Sequence, residues 1–222
     1  MAKVAFLGLG VMGYPMAGHL QKKGGHEVTV YNRSAAKAQQ WVAEYGGRSA
    51  PTPREAAASA EFVLMCVGND NDIRSVVYGD QGALAGMKAG AVFVDHTTAS
   101  ADIARELHAK CKAGGIGFVD APVSGGQAGA VNGQLGIMCG GEDDVFAKVK
   151  PVLDTYAKSC VLIGSPGAGP REMTADLRAD AAGTAGDDRR PAVESHGVSP
   201  VVSLSVSRAS SRRASTTATC RR

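Results

Sequence analysis

The stretch Lys3-Val4-Ala5-Phe6-Leu7-Gly8-Leu9-Gly10-Val11-Met12-Gly13 constrains the fold more than any other part of the chain. Val4 to Leu7 is an apolar run, as expected of a parallel strand buried on both faces. The run breaks at Gly8, and an amphipathic helix is expected from about Val11 to Lys23. Strand, glycine turn and helix form the setting in which G-x-G-x-x-G points to dinucleotide binding. Gly8 permits the tight turn, Gly10 lets a pyrophosphate approach the backbone, and Gly13 lets helix and strand pack closely. The backbone of Leu9, Val11 and Met12 belongs to the same expected site, since N–H groups at a helix start face phosphates. A glycine-rich turn of no function is the plain alternative; the flanking strand and helix weigh against it.

Composition enters as a boundary. Residues 1–169 hold 10 Lys and 5 Arg against 15 acids, whereas residues 170–222 hold 9 Arg, no Lys and 6 acids. The net charge of +3 therefore sits entirely in the last part. The last aromatic is Tyr156, and from Pro170 on the chain is mostly Ala, Ser, Thr, Arg, Gly and Asp. Such a segment buries too little apolar area to offset its ordering entropy, so a disordered tail is expected. Its interspersed acids and lack of aromatics argue against nucleic-acid binding. No run of 18 or more apolar residues predicts a membrane span. The first strand begins too near Met1 to leave room for a signal peptide. Cys66, Cys111, Cys139, Cys160 and Cys220 are scattered, with no C-x-x-C, so neither a disulfide framework nor a metal site is indicated. A cytoplasmic, reducing setting is expected.

Along the chain, Glu27 to Tyr31 reads as the second strand, ending in Asn32-Arg33-Ser34. An NAD-type unit places an acid here for the ribose hydroxyls. Arg33 stands there instead, and a guanidinium pairs with the 2′-phosphate of NADP, with Asn32 and Ser34 as further donors. The competing view is that Arg33 only faces solvent. Ser34 is the expected N-cap of a helix over Ala35 to Tyr45. A short strand near Arg48 to Ala50 and a short helix opened by Thr52 or Pro53 follow. Phe62 to Val67 predicts a central strand, and Val67, Gly68 and Asn69 at its end should line the ligand crevice. The Asn/Asp cluster after Gly68 reads as a helix start, since it lacks the spacing of a calcium loop. Ala91 to Asp95 is the next strand, with Ser100 capping a helix over Ala101 to Ala113. Asp95 and His96 should not meet, since neighbouring strand residues point to opposite faces. His96 is expected to be structural or to line the crevice. Ser124-Gly125-Gly126 can form a nest of N–H groups for a carboxylate. Gln134 to Cys139 reads as a strand, Glu142 to Tyr156 as a helix and Ser159 to Gly164 as a last strand. The whole is an α/β, Rossmann-type, doubly wound and mostly parallel sheet over residues 1–169.

These motifs together resemble the β-hydroxyacid dehydrogenase family, which includes 3-hydroxyisobutyrate dehydrogenase, tartronate semialdehyde reductase and the glyoxylate/succinic semialdehyde reductases. Phe6-Leu7-Gly8-Leu9-Gly10-Val11-Met12-Gly13-Tyr14-Pro15-Met16-Ala17 looks like its N-terminal signature. Asn32-Arg33-Ser34 is similar to the Asn-Arg-Thr of members that prefer NADPH. Asp95-His96-Thr97-Thr98 looks like its Asp-x-Ser-Thr segment, which implies that Thr98 lies near the nicotinamide. Asp120-Ala121-Pro122-Val123-Ser124-Gly125-Gly126 matches its substrate segment, which implies that Ser124, Gly125 and Gly126 hold a substrate carboxylate. The match runs over about residues 2–169. It implies hydride transfer between NADP, or NAD, and a small 3-hydroxy acid or semialdehyde, and a homo-oligomeric assembly.

The same resemblance implies a lysine four residues past Gly169 and an asparagine four beyond it; this chain has Met173 and Leu177. Residues 170–222 lack family character, and the family's all-helical C-terminal domain is expected to be missing. The exchange of Lys for Arg there is the pattern left by out-of-frame reading of a GC-rich gene, which resequencing the locus would test. The expectation is therefore a truncated NADP-dependent dehydrogenase with crippled catalysis and a weakened case for oligomerisation. The alternative is a Rossmann module that binds NADP(H) without turnover. A methyltransferase shares the glycine turn, but it wants an acid where Asn32-Arg33 stands.

Overall fold

The computed structural model describes residues 1–169. Expectations placed on Met173, Leu177, Cys220 and the 170–222 tail lie outside the described residues. The first half runs β1 (Lys3–Leu7), α1 (Gly13–Lys22), β2 (Glu27–Tyr31), α2 (Ala35–Tyr45), β3 (Arg48–Ser49), α3 (Pro53–Ala57) and β4 (Phe62–Met65). It continues through α4 (Asp70–Val77), α5 (Ala83–Gly86), β5 (Val92–Asp95), α6 (Ala101–Ala113) and β6 (Gly117–Asp120). The remainder is β7 (Val123–Ser124), α7 (Gly126–Asn132), β8 (Leu135–Gly141), α8 (Asp143–Leu153) and β9 (Ala157–Gly164).

One sheet carries all these strands, in the order β3-β2-β1-β4-β5-β6-β8-β7, with β9 beside β8. Strands β3 through β6 are parallel. β8 runs antiparallel to β6 and β7, while β9 is parallel to β8. The order reverses at β1, which lies between β2 and β4. A doubly wound sheet opens its ligand crevice at such a point, outside the carboxyl ends of the strands.

Strand alternation divides the core between the two faces of the sheet. Val4, Phe6, Val28, Val30, Leu64 and Val94 pack with Met16 and Leu20 of α1, Trp41 of α2 and Val152 of α8. Ala5, Leu7, Val63, Met65 and Phe93 pack with Ile73 of α4 and with Ile103 and Leu107 of α6. Both faces are covered, which is why the strands read as unbroken apolar runs.

Capping follows the sequence in most places. Thr52 Oγ1 accepts from the Glu55 N–H, and Ser100 Oγ from the Ile103 N–H at 3.2 Å. Ser34 departs from expectation: it occupies the N-cap of α2, but its side chain caps nothing. Its carbonyl accepts the N–H groups of Lys37 and Ala38 instead. The helix expected to reach Tyr156 stops at Leu153, because Tyr156 turns back into the core, where its hydroxyl meets His96. α5 and the two-residue β7 have no apolar period and were not foreseen. Among the described residues no helix is long and apolar enough to cross a membrane.

Candidate dinucleotide site

The glycine turn leaves β1 with three different demands on its three glycines. Gly8 has φ 98° and lies so close to the Cys66 carbonyl that no Cβ fits. Its N–H donates to Tyr31 O at 2.9 Å, which keeps the turn against β2. Gly13 packs on the Gly8 carbonyl and the Phe6 ring, with no room for a side chain. Gly10 is different: nothing lies within 4 Å of where its Cβ would stand. That space belongs to a cleft of about 490 Å³ lined by Gly8, Gly10, Val11, Met12, Tyr31, Asn32, Arg33, Ser34, Cys66, Val67, Gly68, Asp72, Ser75 and Val76. No side chain caps the start of α1. The Tyr14 N–H donates to the Gly10 carbonyl at 3.1 Å and Pro15 has none, so among the described residues the donors left to an anion are the N–H groups of Val11, Met12 and Gly13. Leu9 sends its side chain into the core and does not line the cleft; its N–H, expected to face a phosphate, is taken by Asn32.

The β2 wall is built by Asn32. Its Oδ1 accepts from the Leu9 N–H at 3.0 Å, and its Nδ2 donates to Ser34 O at 3.2 Å. Asn32 thus fastens the glycine turn to the strand end, a role that its position in the motif did not reveal. Arg33 is 91% exposed, with Nη1 3.6 Å from Asp72 Oδ1. The β4 wall is Val67 and Gly68, followed by Asn69 as N-cap of α4. Cys66 also lines the cleft, but burial pushes its thiol up to about 12, so it carries no thiolate near neutral pH.

Thr98 is exposed and does not line the cleft; its neighbour Thr97 is the buried partner of this wall. Thr97 Oγ1 accepts from the Val67 N–H at 3.1 Å, and its own N–H donates to Asp95 Oδ1 at 2.9 Å. Asp95 is fully buried, which raises its carboxyl to about 7 against the opposing bonds from Thr97. His96 turns the other way, as strand alternation predicts. It is buried between Ala121 O (Nδ1, 2.7 Å) and the Tyr156 hydroxyl (Nε2, 2.8 Å), and burial lowers it to about 4. It is structural and does not line the crevice.

Ser124, Gly125 and Gly126 lie outside the cleft, at the junction of β7 and α7. Gly125 (φ 116°) and Gly126 (φ 57°) both adopt left-handed backbone, which glycine takes up without strain. Gln127, next to that loop, shares a groove of about 670 Å³ with Gly10, Val11 and Tyr14. Asp120, at the end of β6, is buried and accepts from the N–H groups of Gly167 (2.5 Å) and Gly169 (2.9 Å). Burial, opposed by those bonds, raises its carboxyl to about 6. It anchors the last described turn beside the carboxyl ends of the strands.

A doubly wound sheet, a glycine turn at its switch point and an uncapped helix start together define an NAD(P)-binding Rossmann domain. Residues 3–164 match the family described as the NAD binding domain of 6-phosphogluconate dehydrogenase, and the chain belongs to that family. It is 60% identical over 169 residues to an uncharacterized oxidoreductase of Shewanella frigidimarina, covering 76% of this chain and 58% of that protein. Among solved structures, Mycobacterium tuberculosis 3-hydroxyisobutyrate dehydrogenase with L-serine is 32% identical, with a TM-score of 0.76 over 82% of this chain and 60% of that one. The structure of Psf3 in complex with NADP+ and 2-OPP is 27% identical, with a TM-score of 0.75 over 80% of this chain and 62% of that one. The chain spans between 46% and 63% of the length of these curated relatives.

Proposed function

We propose that the chain binds NADP(H) in preference to NAD(H), as part of an oxidoreductase acting on a small 3-hydroxy acid or its semialdehyde. The open space over Gly10, in a cleft that Arg33 also lines, is the observation that carries this reading. The residues fit the cofactor: Gly10 leaves room for a pyrophosphate, the start of α1 offers N–H donors, and Arg33 supplies a cation for a 2′-phosphate. The bound nicotinamide supplies or accepts the hydride. The protein's part is alignment. Asn32 fixes the glycine turn, and Asp95 and Thr97 fix the Val67 wall. Ser124, Gly125 and Gly126 hold the substrate carboxylate in this reading. The partner is that small molecule, with no role for nucleic acid or membrane. The described cysteines are all free thiols, which suits a cytoplasmic setting.

The resemblance places a proton-transferring lysine where Met173 stands. Met173 has no proton to give, and Arg171 holds its own too tightly near neutral pH. A placed general acid contributes about 10²–10⁴-fold, so turnover by this chain should be poor. Met173 also supports a second reading, a module that binds NADP(H) without turnover. Steady-state oxidation of NADPH with a panel of semialdehydes, beside a cofactor titration, separates the two. Slow but saturable turnover supports the enzyme, and binding with none supports the module. Absence of cofactor binding contradicts both.

A further inference from the structure

Asp72 stands in the cleft beside Arg33, and the glycine motif gives no hint of it. A capping arrangement at the start of α4 puts it there. Asn69 Oδ1 accepts from the N–H groups of Asn71 and Asp72, and Asn69 Nδ2 donates to Asp72 Oδ2 at 3.1 Å. One carboxylate oxygen is thereby held by the cap, while the other, Oδ1, faces the Arg33 guanidinium at 3.6 Å. Gly68 makes room for this, since a Cβ there would stand 2.6 Å from Asp72 Oδ2. Both residues line the same cleft. With Arg33 so exposed, the pair adds little to stability. Its weight falls on ligand choice.

We propose that Asp72 sets the strength of cofactor discrimination, by holding Arg33 and by repelling a phosphate that would take its place. The inference rests on the reading that Arg33 pairs with the 2′-phosphate. A phosphate seated on Arg33 displaces Asp72 from the guanidinium and lies close to its carboxylate. Like charges about 6 Å apart at a surface, screened by physiological salt, change affinity by a few-fold. NADH brings no 2′-phosphate and meets no such repulsion. Asp72 therefore narrows the gap between the two cofactors that Arg33 opens.

The test uses Asp72→Asn, Asp72→Ser and Arg33→Ala, each alone, and each Asp72 variant combined with Arg33→Ala. All are titrated with NADPH and NADH by fluorescence, at low and high salt. Both Asp72 variants should bind NADPH about three- to tenfold more tightly, with NADH changed by less than about twofold. The gain should shrink at about 1 M salt and in the Arg33→Ala background. Thermal melts of each variant separate a weakened α4 cap from a changed ligand preference. If Arg33→Ala weakens NADPH binding while neither Asp72 variant strengthens it, Asp72 is only a helix-capping residue and the proposal is overturned. An equal gain for both cofactors overturns it too. If Arg33→Ala leaves NADPH binding unchanged, the reading of Arg33 itself fails and the proposal falls with it.

Discussion

In the proposed reading, ligand binding turns on Arg33 and Gly10, and the two residues predict opposite kinds of change. Arg33→Asp exchanges a cation at the cleft for an anion. NADPH affinity should fall by about tenfold or more while NADH affinity holds or improves, read by parallel titrations. Gly10→Val should abolish binding of either cofactor without unfolding the chain. The open space around Gly10 takes the side chain without a clash, but the branched group then fills the path of the pyrophosphate. A Gly10→Val protein that melts normally yet titrates with NADPH at normal affinity would place the site elsewhere. His96 shows how residue chemistry sets pH dependence. It is buried and neutral in the fold, held near 4, while an unfolded histidine titrates near 6.5. The stability it contributes is therefore complete above about 6.5 and is lost as pH falls from there toward 4. His96→Phe leaves the Tyr156 hydroxyl and the Ala121 carbonyl without their partner, and should cost about 2–4 kcal/mol at pH 7.5. That cost should shrink as the pH of urea unfolding is lowered toward 4.5. Asp95 and Asp120 shift the other way, so only the difference between variant and parent isolates His96.

At the scale of elements, the parallel half of the sheet was legible and the antiparallel end much less so. Runs such as Phe62 to Met65 and Val92 to Asp95 are apolar throughout because helices cover both faces. The turn glycines announced themselves by their spacing. β7 and α5 have too few residues to show any period. Within the site, the glycine roles could be read from the motif. The division of labour around it could not, because it depends on which side each residue faces. Asn32, expected as a ligand donor, also fastens the glycine turn to the end of β2. Thr98 is exposed, whereas Thr97, one residue earlier, is buried and holds the Val67 N–H. Asp72 was hidden within a capping cluster. The strut at Thr97 can be tested as an element. Thr97→Val keeps the shape but removes the acceptor for the half-buried Val67 N–H. It should destabilise the fold by about 1–3 kcal/mol and loosen the β4–α4 wall, seen as faster hydrogen exchange at Val67 and Gly68. Unchanged exchange there would show that the wall holds itself.

At the scale of the whole molecule, the stretch that matches the family is residues 3–164. The chain spans 58% of its Shewanella relative, so activity depends on what the rest of such a protein contributes. Cofactor binding depends only on the described cleft and is the central claim. Fluorescence titration of the unaltered chain with NADPH and NADH, under identical buffer and salt, tests it most directly. The account predicts saturable binding of both, with NADPH about ten- to hundredfold tighter. Equal affinities, or tighter binding of NADH, would contradict the role given to Arg33, and no binding of either would contradict the site itself.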